Sequence, residues 1–109
     1  MQAEAFACEL PDSKRIQGTK HSLAWRTLPA RVVVGEPFAV EFAVCPPASG
    51  VTANAHMPEH RHGMNYKPTL KVLGGGRFRA EGWVFHMPGR WEFFFDVNGE
   101  RLADSLRLE

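Results

Sequence analysis

Hydrophobic and polar positions alternate along most of this chain. From Phe38 to Cys45, the residues Phe38, Val40, Phe42 and Val44 fall on one face, which is the period of a strand with one buried side. Val51 to Met57 forms the next strand. Tyr66 to Leu73 follows as a strand or edge strand, with Pro68 near its start. Arg77 to Met87, Arg90 to Val97 and Arg101 to Leu108 are strand-like in turn, and Leu23 to Thr27 and Arg31 to Val34 precede them. Turns separate these runs at Gly35-Glu36-Pro37, Pro46-Pro47-Ala48-Ser49-Gly50, Gly74-Gly75-Gly76 and Asn98-Gly99. Asn-Gly between two apolar runs is the strongest short hairpin signal here. No segment sustains a helical period. About seven short strands at intervals of roughly 8–12 residues predict an all-β, immunoglobulin-like sandwich. The Cys…Trp…Cys pattern of antibody domains is missing. Residues 1–21, polar and irregular, form an expected N-terminal arm, and residues 22–109 the sandwich.

Parity also assigns faces. Trp25, Trp83, Trp91 and most of the phenylalanines belong to the core. Within Phe93-Phe94-Phe95, the pleat turns Phe94 to the opposite side from its neighbours. Met57 shares a face with Val51, Ala53 and Ala55, and Met87 shares one with Trp83 and Phe85. If the strands run regularly to their ends, both methionines point inward, and His56 and His86 point outward.

Composition narrows the class. An apolar fraction of 44% in 109 residues suits one folded domain. A net charge of +1, with Lys and Arg scattered, gives no electrostatic footprint for nucleic acid. The apolar runs fall far short of the ~20 residues needed for a membrane-spanning helix. The opening Met-Gln-Ala-Glu-Ala-Phe-Ala-Cys lacks the charged and apolar regions of a signal peptide. That leaves a cytosolic protein, or an exported one whose leader lies outside this chain. Cys8 and Cys45 have no metal or redox spacing. A Cys8–Cys45 disulfide is expected, which would tie the arm to the first long strand, contribute ~3–4 kcal/mol, and imply an oxidising compartment. Two reduced thiols, or a thiolate ligand at Cys45, are the other readings.

The candidate chemistry lies in histidine and methionine. His-Met-Pro occurs at His56-Met57-Pro58 and again at His86-Met87-Pro88, and the first copy continues into Glu59-His60-Arg61-His62-Gly63-Met64. Imidazole with thioether is a ligand set that suits copper, Cu(I) through sulfur and either oxidation state through nitrogen. In an extended loop, His60, His62 and Met64 at i, i+2 and i+4 point the same way, and Gly63 lets the backbone turn. His86 is the long-range addition, with His56, Met57 and Met87 as reserves. Against this stands a plain reading, in which the methionines are core and the loop is solvated. Zinc could use His60, His62 and His86 with Glu59, but thioether adds nothing for zinc. His21 lies outside the cluster, as a surface residue.

The segments Ala55–Tyr66, Gly76-Arg77-Phe78 and Phe85-His86-Met87-Pro88-Gly89-Arg90-Trp91 resemble the YtkA-like/FixH-like group of small bacterial domains. That group combines a Met-Pro-x-His-type loop, a Gly-x-Phe/Tyr strand and a Met-Pro-Gly-x-Trp strand. The likeness covers roughly residues 22–107. It implies an immunoglobulin-like sandwich in the periplasm, at the outer side of the cytoplasmic membrane, exported or anchored by a segment outside this chain. Some relatives are associated with copper handling or oxidase assembly. The loop here holds more histidine than the bare pattern requires.

The expected function is thus a periplasmic copper-binding carrier or chaperone that serves a copper-receiving or membrane-associated protein. The alternative is a non-metal accessory domain of a membrane-associated assembly. An enzyme is not expected. No nucleophile–base arrangement is evident, and Gly74-Gly75-Gly76 lacks the Lys-Ser/Thr and helix of a phosphate-binding loop.

Overall fold

Alternating residues need two apolar faces to close on one another, and two antiparallel sheets do this here. The computed structural model describes residues 8–64 and 66–109. Its strands are β1 (Lys14–Gln17), β2 (Ser22–Leu28), β3 (Phe38–Cys45), β4 (Val51–Met57), β5 (His62–Gly63), β6 (Thr69–Gly74), β7 (Arg77–Trp83), β8 (Gly89–Val97) and β9 (Glu100–Leu108). One sheet has the order β1-β2-β3-β7-β6, and the other β5-β4-β8-β9. Setting aside β1 and the two-residue β5 leaves seven strands. The chain is an all-β, immunoglobulin-like sandwich, as the alternation predicts. Among the described residues, no helix is long and apolar enough to cross a membrane.

The core is aromatic. Trp25 packs on Phe93 at 4.7 Å between ring centroids, Phe42 on Phe95 at 4.9 Å, and Phe85 lies flat on Trp91 at 4.2 Å. Each buried indole N–H donates to an acceptor: Trp25 to Asp104 Oδ2, Trp83 to the Ala80 carbonyl and Trp91 to the Met87 carbonyl. This removes the penalty of burying an unpaired donor. Phe94 faces away from its neighbours and is half-buried, as parity requires.

Two predicted strands change. Arg77 to Met87 ends as a strand at Trp83. The register passes from Ala39↔Glu81 to Phe38↔Trp83, which leaves Gly82 as an extra residue with φ 88°. Such a bulge flips the parity. Phe78 and Ala80 are therefore buried on one side of it and Trp83 and Phe85 on the other, a combination that unbroken alternation forbids. Arg31 to Val34 is not a strand. It borders Leu106 to Glu109 at the end of the edge strand β9 without entering a ladder, and the Gly35 N–H instead bonds to the Phe85 carbonyl. Val32 and Val34 pack against the core from an irregular connection.

The arm is bound to the domain. Residues 1–7 lie outside the described part, but β1 pairs along β2, and the segment before it is held by arginines. Arg15 donates to the Cys8 carbonyl, Arg26 to that of Pro11 and Arg77 to that of Glu9. Ala24 and Ala43, cross-strand partners on the outward parity of their strands, are both fully buried. The Cys8 sulfur rests 3.6 Å from Ser22 Oγ, and Ser22 is the cross-strand partner of Cys45, so the arm brings Cys8 to the end of β3 where Cys45, the other half of the expected disulfide, lies.

Candidate metal centre

The first His-Met-Pro and the loop after it form a tight hairpin. Met57 pairs with His62, and His56 with Gly63. The four residues between, Pro58 to Arg61, close through the His60 N–H to the Met57 carbonyl at 3.2 Å. Arg61 takes the left-handed conformation, φ 50°, that ends the turn, whereas Gly63 has no positive φ. This corrects the i, i+2, i+4 expectation. The chain is not extended at 58–61, so His60 and His62 do not share a direction, and His60 is exposed on the turn. Opposed residues in an antiparallel pair share a face. His62 therefore lies on the side of Met57, and Gly63 on that of His56.

The second His-Met-Pro lies on the crossover from β7 to β8. Phe85 anchors it by stacking on Trp91, and the Trp91 indole bonds back to the Met87 carbonyl at 3.0 Å. Between these anchors, His86 sits with its ring edge-on to Trp91, 5.6 Å away. Its Nε2 meets Nε2 of His62 at 2.6 Å, and the ring centroids are 4.6 Å apart. One nitrogen donates and the other accepts. His86 Nδ1 is buried and has no hydrogen-bond partner among the described residues.

Two converging imidazole nitrogens fit a metal ion. With metal–nitrogen bonds of about 2.0–2.1 Å, they would stand roughly 3.3 Å apart at a tetrahedral angle and about 4 Å apart at a linear one. The pair has to open by roughly 1 Å from its hydrogen-bonded contact. His62 is exposed on a two-residue edge strand, so that motion disturbs little packing.

The other expected ligands separate by face. Met64, two residues beyond His62, packs partly against the core. It lines a depression of about 490 Å³ with His56, Pro58, Arg61, His62 and Phe94. His56 points to the outer face of its sheet, where Nε2 is 2.8 Å from Glu92 Oε1 and the ring meets the Phe94 edge at 5.2 Å. The Arg101 guanidinium covers Phe94 at 4.3 Å. Met57 is fully buried, and its Cε lies where a Cβ on Gly89 would come within 2.6 Å. It is core, not a ligand, which corrects that expectation. Met87 is partly buried and packs on the same cluster. Among the described residues, no three of His, Cys, Asp and Glu gather as a metal site, so His60 does not complete a trio with His62 and His86. Cys45 ends β3 at Ser22, opposite the end where Phe38 pairs with Trp83, which puts it far from His86. Asn65, within the resembling segment, lies outside the described residues.

His21 is also corrected. It is not a free surface residue, because its Nδ1 lies 3.0 Å from Glu100 Oε1. That carboxyl is held below the usual carboxylate range, first by His21 and then by the backbone N–H groups of Thr19 and Lys20, against the upward push of burial.

Sequence reasoning missed two neighbours of the candidate residues, Glu92 beside His56 and Trp91 beside His86. Glu92 opposes His56 in the β4–β8 register, which no local pattern reveals. Trp91 was visible only as a core residue. Comparison with known protein families, curated proteins and solved structures found no match.

Proposed function

We propose that this chain is a copper-binding protein of the carrier or chaperone type, with His62 and His86 as its principal ligands. The observation that carries this reading is the approach of two Nε2 atoms to 2.6 Å from separate segments, at an exposed end of the sandwich. Met64 adds a soft donor close by. A carrier has to release its ion as well as hold it. A centre with one exposed histidine, and with no hydrogen-bond partner for His86 Nδ1 among the described residues, suits exchange, since partners of that second nitrogen ordinarily tighten a site. The resemblance to YtkA-like/FixH-like domains agrees with copper handling and with a place at the outer side of a bacterial cytoplasmic membrane. A copper-receiving or membrane-associated protein is the corresponding partner.

The test is copper retained after loading and desalting, in both oxidation states, for the wild type, His62→Ala/His86→Ala and His60→Ala. The first and third should retain copper, and the double variant should not. Equal retention by all three removes the reading. The accessory-domain alternative then gains from Tyr66, Val72 and Leu73, which leave large apolar side chains exposed on and beside the edge strand β6.

A further inference from the structure

We infer that the His62–His86 centre takes Cu(I) in preference to Cu(II) or Zn(II), with Met64 as its third donor; this rests on the copper reading above. Donor number is the first argument. Cu(II) favours a tetragonal set of nitrogen and oxygen ligands, and zinc a closed tetrahedral one. Two imidazoles converge here, and among the described residues no further His, Cys, Asp or Glu completes a group of three. Softness is the second. The carboxylates that a harder ion would recruit are engaged elsewhere, Glu92 with His56 at 2.8 Å and Glu59 near Arg90 at 3.8 Å. The donor left beside His62 is the Met64 thioether, which lines the same depression and selects Cu(I). Two segments of different parentage, one of them a short edge strand, can also open to the wide angle of a low-coordinate ion.

The experiment is a competition titration of the whole chain. Cu(I) is measured under anaerobic conditions against a chromophoric Cu(I) chelator, and Cu(II) and Zn(II) against chelators of known affinity. The wild type should bind Cu(I) at least about a hundredfold more tightly than either dication. Met64→Leu keeps the volume and removes the thioether. It should weaken Cu(I) about tenfold, equivalent to ~1.4 kcal/mol, and leave the dications unchanged, with an unaltered β-sheet circular dichroism spectrum. Cu(II) or Zn(II) bound as tightly as Cu(I), or Met64→Leu indistinguishable from wild type, overturns the inference. Tight Cu(II) without Cu(I) would do so while leaving the copper reading intact. No tight copper in either state removes both.

Discussion

The two copies of His-Met-Pro are identical in sequence and opposite in fate. In the first, the tripeptide ends the regular strand β4. The pleat sends Met57 fully into the core and His56 to the outer face, where Glu92 and Phe94 hold it. In the second, it follows the bulge at Gly82 and lies on a crossover between sheets. Its methionine is only partly buried, and its histidine meets His62. A strand divides neighbouring side chains between two faces. A crossover is free of that rule and is positioned by its anchors, here Phe85 and Trp91. The same three residues therefore supply structure at one place and candidate chemistry at the other.

The strongest way to break this comparison is truncation of the methionines. Met57→Ala removes a fully buried side chain beneath Gly89 and should destabilise the domain by ~2–5 kcal/mol in denaturant melts. Met87→Ala should cost about 1 kcal/mol. Equal losses would mean that both copies are core in the same sense.

The histidines should behave in the reverse order. His86→Ala should weaken copper at least about a hundredfold, as loss of a ligand does. His56→Ala should leave copper affinity within about threefold, because its imidazole is on the other face and committed to Glu92. Competition titration with purified variants measures both. A larger effect at His56 would place the ligands on the outer face and overturn the assignment.

A third prediction concerns Gly89, which joins the second copy to the core of the first. Its φ of 125° and the Met57 methyl at its missing Cβ make Gly89→Ala destabilising by ~1–3 kcal/mol, with copper affinity retained once the protein is folded. Thermal unfolding followed by copper titration at low temperature separates these effects.

The smallest expected effect serves as a control on the other sheet. Glu41 accepts from Arg26 at 2.7 Å and from Arg79 at 3.2 Å. Arg26 chiefly, with Arg79 adding, holds its carboxyl below the usual range, against the upward push of burial. A carboxylate with a lowered folded pKa contributes stability in full above its unfolded value, near 4.3, and loses it as the pH falls through the folded value. The pair is partly exposed, so Glu41→Gln should cost less than about 1 kcal/mol at neutral pH. The difference from wild type should shrink in acid melts below pH ~4. Copper affinity should not change.

Much of this molecule is legible in its residues. The alternation of Phe38 to Cys45 and of Val51 to Met57 set those strands and their faces, and Asn98-Gly99 set the last hairpin. The same parity that buried Met57 and exposed His56 is local chemistry, because side chains two apart on a strand must share a side. The Gly82 bulge was hidden. One extra residue alters the count without altering the character of the pattern, so Arg77 to Met87 reads as one strand. Arg31 to Val34 has the composition of a strand, but its valines pack against the core from an irregular connection, and composition alone does not distinguish the two. The loop histidines stand out in the sequence, but an extended geometry does not give their partners, because the turn at Arg61 abolishes it.

The sequence alone determined an all-β sandwich, its principal strands, an aromatic core, and a concentration of histidine and methionine between positions 56 and 87. These follow from period and composition, which act between near neighbours. The tertiary structure decided that His62, not His60, faces His86, that His56 belongs to Glu92, and that the arm joins the sheet as β1. Those pairings depend on register across strands and on where a crossover passes. Both are set by how two whole faces close on one another, and no segment carries that information by itself.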